Sequence, residues 1–224
     1  MKIICNICKS ENVQDLIYHQ NNYKCLDCGH LFKNGNFDFS WYKKVDYWYK
    51  DSPDTLRLYQ KMFYGIFEDF ILQYDNALEC GAADGDFLFH LSKKIKNIYY
   101  NELDDLLRND YFFVKDKFIG DIKKIDFKGN KFQNIFLNDV IEHFDDIYFY
   151  TSILNNILAK EGRLFLITNN GDFLNVHNEL IYHYEHYNIF TKKSFSLFIK
   201  NFNFKEVLYF NSPQGLSFIV LEKL

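Results

Sequence analysis

The chain of 224 residues has no excess of positive charge. Its 26 Lys and Arg face 30 Asp and Glu, the formal net charge is −4, and arginine is scarce. Proteins that live on nucleic acid carry a basic face or stripe, so this balance argues against such a partner. No apolar run approaches the roughly 20 residues that a bilayer requires, so no membrane span is expected. The Met1 end lacks the basic stretch and apolar run of a secretory leader. Internal repeats and low-complexity segments are also missing. The expectation is a cytoplasmic globular protein with one sizeable core and a small appendage. Aromatic residues are plentiful, with 25 Phe and 17 Tyr. Together with the richness in Lys, Asn and Ile this reads as coding bias, so a given ring is core filler before it is function.

Cysteine is scarce too, but four of the five are paired, as Cys5-Asn-Ile-Cys8 and Cys25-Leu-Asp-Cys28. In a reducing compartment that spacing serves metal rather than disulfides. Two such knuckles supply four thiolates to one tetrahedral Zn²⁺ and leave no open position, so the expected role is structural. His30 is a reserve ligand that reads as a turn residue, and Cys80 reads as a small buried apolar group. The expected organisation is a zinc ribbon over 1–35, a linker over 36–53 and a main domain over 54–224.

In the main domain a helix is expected from Thr55 to about Tyr74, where Leu58, Met62, Phe63, Ile66, Phe67 and Phe70 recur at helical spacing. Strands are expected near 76–80, 97–102, 116–120, 133–138 and 162–168, and again at 203–210 and 216–223. Helices are expected near 86–96, 104–113, 145–159 and 191–201. The fold class is α/β, a Rossmann-like seven-stranded sheet with helices on both faces and an antiparallel last strand, because only the final pair has a short connection.

The stretch Asn-Ala-Leu-Glu-Cys-Gly-Ala-Ala-Asp-Gly-Asp-Phe, 76–87, runs from strand through two glycines into a helix. Gly81 and Gly85 let the backbone turn sharply and approach a ligand, and the helix start presents free N–H groups. A second strand ends in Glu102-Leu103, where a carboxylate can accept from both ribose hydroxyls of a nucleoside. Asp121-Ile122 follows the third strand, and Asn138-Asp139-Val140-Ile141-Glu142-His143 ends the fourth.

In this order the segments resemble the class I S-adenosylmethionine (SAM)-dependent methyltransferases, in the group with an Asp-Val-Leu-Glu-His-like fourth motif. The likeness spans roughly 55–224 and is most specific at Asp139–His143. It implies SAM as cofactor. Glu79, Gly81, Ala83 and Gly85 would curve around its methionine part, Glu102 and Leu103 would meet the ribose, and Asp121 and Ile122 the adenine. Asn138 and Asp139 would line the same site. The family often has glycine where this chain has Ala83, while Gly81 and Gly85 are the positions expected to be intolerant.

Glu185-His186, an aromatic residue and Thr191 resemble the Glu-His-x-x-x-Phe-Ser/Thr signature of the same group. The resemblance places acceptor binding there, with Tyr182, His183 and Tyr184 lining the pocket. Methyl transfer to a hydroxyl gains from a base of near-neutral pKa, so His186 is the candidate base, Glu185 its support and His143 the alternative. An N-terminal zinc ribbon ahead of such a domain is similar to that of methyltransferases acting on sugars and surface polysaccharides. The expected reaction is O-methylation of a sugar or similar small polar molecule.

Three other readings stand beside it. An RNA methyltransferase would use the ribbon on RNA, yet Lys9, Lys24 and Lys33 stand there against Glu11, Asp15 and Asp27. A sugar C-methyltransferase has Tyr-His-Glu-His where this chain has His183-Tyr184-Glu185-His186. A non-catalytic interaction module would be expected to have lost Glu102 or a motif glycine. Asn169 and Asn170 with Asp139 offer too few carboxylates for the Mg²⁺ site of catechol-type O-methyltransferases.

Overall fold

Alternation of side chains along the buried strands sorts the helices onto two faces of one sheet. The computed structural model describes residues 2–16, 21–35, 53–73, 76–83, 85–103, 112–173 and 186–224. Most of the expected linker over 36–53 and most of the helix expected over 104–113 lie outside these residues.

The main sheet holds β4 (Asn76–Cys80), β5 (Asn97–Glu102), β6 (Val114–Ile119), β7 (Phe132–Asn138), β8 (Leu158–Asn169), β10 (Phe204–Asn211) and β11 (Leu216–Lys223). Their order is β10-β11-β8-β7-β4-β5-β6. Strands β4 to β8 pair in parallel, and β11 runs antiparallel to both β8 and β10, as expected. The chain winds one way from β4 to β6 and the other way through β7 and β8. That reversal opens a crevice at the C-terminal ends of β4 and β7, where open α/β sheets bind ligands.

Successive residues of a strand point to opposite faces. Ala77, Phe136, Phe165 and Ile167 pack with Tyr64 and Phe67 of α1 (Pro53–Phe67) and with Phe87, Leu88 and Leu91 of α2 (Asp86–Leu91). Their neighbours Leu78, Ile135, Leu137, Leu164 and Leu166 face the other way. They pack with Leu154 of α3 (Ile147–Ile157) and with Phe195 and Phe198 of α4 (Lys192–Asn201). The helix ends follow from local capping. Asp146 accepts from the Phe149 N–H before α3, and Thr191 and Ser194 cap each other's backbone at the start of α4. Helix α1 begins on Pro53, whose missing N–H costs nothing at a first turn.

The N-terminal region forms β1 (Val13–Asp15), β2 (Asn22–Cys25) and β3 (Leu31–Lys33), none of them marked by periodicity in the sequence. A second sheet, β1-β2-β3-β9, is completed by β9 (Asn188–Ile189) of the main domain. Strand β3 pairs antiparallel with β9 through Leu31 opposite Ile189 and Phe32 opposite Asn188. Cys5, Ile7, Cys25, Cys28 and Phe32 share one hydrophobic cluster with the α3 and α4 side of the main sheet.

Candidate functional site

The glycine loop leaves β4 in left-handed turns. Gly81 has φ 72°, Ala83 φ 49° and Gly85 φ 80°. The Gly81 and Ala82 N–H groups both point to the Asn101 carbonyl, at 2.8 and 3.4 Å. The Asn101 side chain donates to the carbonyls of Phe118, 2.7 Å, and Gly120, 3.0 Å, so it ties β5 to the end of β6. A Cβ at position 81 would stand 2.6 Å from Val140 Cγ2. The glycine is therefore required by its φ and by its neighbour. Ala83 holds a conformation that glycine takes without strain, the physical reason for glycine at that place in the resembled family.

Two acids anchor the loop. Glu79 is buried at the end of β4, where Oε1 accepts from Asn138 Nδ2 at 3.1 Å. Glu102, ending β5, accepts from the Ala83 N–H through Oε2, 3.0 Å, and from the Leu103 N–H through Oε1, 2.8 Å. Asp121 accepts from the Lys123 N–H, 3.0 Å, and the Tyr150 hydroxyl, 3.1 Å, and starts a short 3₁₀ turn over Ile122–Lys124 with Ile122 buried. Burial pushes the Cys80 thiol well up, leaving an inert apolar group, as expected. Of the expected cofactor residues, Glu79, Gly81, Ala83, Gly85, Glu102, Leu103, Asn138 and Asp139 converge at the C-terminal ends of β4, β5 and β7. Asp121 and Ile122 follow β6 alongside.

Beyond β7 the chain turns on Asp139, φ 59°, whose N–H donates to the Ile167 carbonyl at 3.0 Å. A 3₁₀ turn over Ile141–His143 then carries Glu142 into the interior. Burial first, and the Asp139 carboxylate second, push Glu142 well above the usual carboxylate range. His143 stands against His186, with ring centroids 5.1 Å apart and planes at 66°. Donor atoms of Glu142, His143 and His186 all lie within 4.8 Å of one another. Glu185, Tyr182, His183 and Tyr184 lie outside the described residues.

The N-terminal unit reaches this cluster directly. The Tyr187 N–H donates to the Glu142 carbonyl, 2.7 Å, and the Tyr187 carbonyl accepts from the Lys33 N–H, 3.0 Å. Asn188, fully buried, donates to the Phe144 carbonyl, 2.6 Å. Its Oδ1 accepts from Asn6 Nδ2 at 2.8 Å and meets His30 Nε2 at 3.3 Å. His30 is thus more than the turn residue expected. It is fully buried, it lies near Phe32 and Phe190, and burial lowers its pKa to about 4. A small, partly open cleft lies between the two units, lined by Leu16, Asn22, Tyr23, Leu31, Phe32, His186 and Ile189.

The four paired cysteines come together as expected, with all sulfurs within 4.8 Å. Cys5 and Cys28 Sγ are 3.7 Å apart, and Cys8 and Cys25 Sγ 3.4 Å. A tetrahedral ion with bonds of about 2.3 Å holds its sulfurs about 3.8 Å apart, so the residues fit a Cys₄ metal. Cys5 and Cys28 share one proton: hydrogen bonding between them holds the Cys5 thiol low and pushes the Cys28 thiol up.

Sequence reasoning gave no role to Glu142, Asn101 or Asn188. A polar residue inside the apolar strand of Ile98–Glu102 was the one available signal for Asn101. The partners of Asn188 lie 44 to 182 residues away, beyond any local pattern.

Comparison with known proteins places the chain. The family model described as "Methyltransferase domain" matches residues 48–209. No curated protein matches the chain in sequence. Several solved structures share its fold. The N-methyltransferase NodS of Bradyrhizobium japonicum, in complex with S-adenosyl-L-homocysteine, is 12% identical with a TM-score of 0.64, over 83% of this chain and 99% of that one. The 1,6-didemethyltoxoflavin-N1-methyltransferase of Burkholderia thailandensis, with bound 1,6-didemethyltoxoflavin and S-adenosylhomocysteine, is 16% identical with a TM-score of 0.61, over 88% and 97%. A protein of Pyrococcus horikoshii is 14% identical with a TM-score of 0.65, over 84% and 100%.

Proposed function

The chain belongs to the methyltransferase-domain family, and on that premise we propose that it transfers the methyl group of SAM to a hydroxyl of a sugar or similar small polar molecule. The observation that carries the acceptor reading is the His143–His186 pair, of which His186 lines a small cleft of mixed polar and aromatic character.

When bound, SAM supplies an electrophilic methyl group on a sulfonium centre. Glu79, held by Asn138, is placed for the ammonium of its methionine part, and the left-handed residues Gly81, Ala83 and Gly85 let the backbone close on it. Glu102 keeps lone pairs for the ribose hydroxyls beyond the two N–H groups it accepts. Ile122 offers an apolar wall to adenine, and Asp121 a carboxylate beside it. Loss of the acceptor proton falls to the histidine pair, with His186, on the cleft wall, as the base of a metal-free site and Glu185 as its support. Tyr182, His183 and Tyr184 complete the acceptor pocket in this reading. Zn²⁺ on Cys5, Cys8, Cys25 and Cys28 supplies a structural cross-link.

The test is incubation with SAM labelled on its methyl group and an extract of source cells, followed by fractionation. Label in a small polar or sugar-nucleotide fraction is the expected result. RNase-sensitive label would replace it with an RNA acceptor, and label on a nitrogen or carbon of a small molecule would overturn O-methylation. Absence of S-adenosylhomocysteine binding in calorimetry would leave a non-catalytic module.

A further inference from the structure

The fourth-strand turn and the β9 arm converge on two imidazoles and one carboxylate, donors of the type that hold first-row divalent cations. Glu142 and His143 come from the turn after β7, and His186 precedes β9. The Tyr187 N–H to Glu142 carbonyl bond, 2.7 Å, fastens the two segments together. The donor atoms lie within 4.8 Å of one another. Two ligands trans across one ion stand about 4.2 Å apart when each bond is about 2.1 Å.

Glu142 supplies the second observation. It is fully buried, and no Lys or Arg among the described residues pairs with it. Oε1 receives one long bond, 3.4 Å from Asn169 Nδ2, and Oε2 makes no hydrogen bond of good geometry among the described residues, with the Thr168 hydroxyl and the Asp139 carboxyl group beside the carboxyl. A buried carboxyl group of this kind stays protonated until a cation pairs with it or a metal is coordinated, and then it serves as an anionic ligand.

We propose that Glu142, His143 and His186 bind one divalent transition cation, separate from the Cys₄ site, that holds and activates the acceptor hydroxyl. Nitrogen and oxygen donors suit Mn²⁺, Fe²⁺, Co²⁺ or Zn²⁺, whereas four thiolates select Zn²⁺. Three protein ligands leave coordination positions open. His186 lines the cleft, so those positions adjoin the acceptor. The matching acceptor class is a molecule with two neighbouring oxygens, such as a vicinal diol. The ion lowers the pKa of a hydroxyl it holds, as it does for water. The hydroxyl proton leaves to solvent, the oxygen lone pair forms the bond to the methyl carbon, and the carbon–sulfur pair stays on sulfur. The ion thereby takes over the task of a free His186 base, and this activating role rests on the methyl-transfer reading above.

The experiment is a Mn²⁺ titration of the whole zinc-loaded protein, followed through the electron paramagnetic resonance of free Mn²⁺ and repeated with Co²⁺ by calorimetry. One ion per chain is expected. His143→Ala, His186→Ala and Glu142→Gln should each weaken uptake at least tenfold, with zinc content and S-adenosylhomocysteine affinity kept. The two variants at the half-buried histidines keep the test usable where Glu142→Gln disturbs folding. No uptake of either ion by the wild-type protein, or undiminished uptake by His143→Ala/His186→Ala, overturns the proposal. Failure of the methyl-transfer reading shows instead as missing S-adenosylhomocysteine binding, whatever the Mn²⁺ result.

Discussion

At Gly81 backbone geometry and packing demand the same residue. An alanine there would hold φ 72° against its preference and press its Cβ into Val140 Cγ2, 2.6 Å away. Left-handed strain costs about 1–3 kcal/mol and overpacking about 1–3 kcal/mol. Gly81→Ala should therefore lose about 2–5 kcal/mol in chemical denaturation. Adding Val140→Ala should return only the packing part, since φ is unchanged; a full recovery would show that strain is not involved. Glu102 is a different case, because its loop contacts are backbone N–H groups that it shares with the ligand it is proposed to hold. Loss of hydrogen bonds to a charged group predicts about 10- to 100-fold weaker SAM binding in Glu102→Ala, with Glu102→Gln between the two. Calorimetric affinity equal to wild type would remove Glu102 from the site. These residues were legible because a glycine or an acid at a strand end is decided by local chemistry. Glu142 was not, because its burial depends on a turn that folds it beneath Asn169.

At the scale of elements, the parallel strands were legible from apolar runs, and their observed bounds fall within two residues of those read in the sequence, apart from β8. There the expected strand over 162–168 begins at Leu158, and α3 ends at Ile157. The register shifts between Phe132 and Asn134 as β7 pairs with β8, and Gly162 has the Ala159 carbonyl where a Cβ would stand, at 2.9 Å. A bulge of this kind hides a strand start behind charged, turn-like residues. Strand β9 was illegible for another reason. Two residues carry no period, and it exists because β3 offers an edge. Asn188 fixes that junction by joining the Phe144 carbonyl to Asn6 and His30. Asn188→Ala strands these buried groups and should cost about 2–3 kcal/mol. That lowers the midpoint of thermal unfolding by about 4–12 °C in a chain of this size. A midpoint within a degree of wild type would mean that water replaces the side chain without loss.

At the scale of the molecule, the N-terminal unit and the main domain divide the proposed site between them. The residues proposed for SAM stand at or just beyond the ends of β4, β5, β6 and β7, and the side-chain hydrogen bonds given above for Glu79, Glu102 and Asp121 run to the main domain. The proposed acceptor side is built otherwise. Lys33 holds Tyr187, Tyr187 holds the Glu142 carbonyl, and His30 meets Asn188 beside it. Thr191, which caps α4, donates to the Cys28 carbonyl at 2.8 Å, and Tyr148 of α3 donates to the Ile7 carbonyl at 2.9 Å. The pairing of the cysteines was plain in the sequence, but their purpose was not, because every one of these links joins residues far apart in the chain. Cys8→Ser/Cys25→Ser removes two of four thiolates and should release the zinc, read by elemental analysis. The β3–β9 edge should then loosen and His186 with it. The expected outcome is an S-adenosylhomocysteine affinity within about twofold of wild type, against methyl transfer lowered by tenfold or more, since about 1.4 kcal/mol of lost positioning is a factor of ten in rate. Equal loss of both would make the ribbon a stabiliser of the whole fold. Equal retention of both would detach it from the acceptor site.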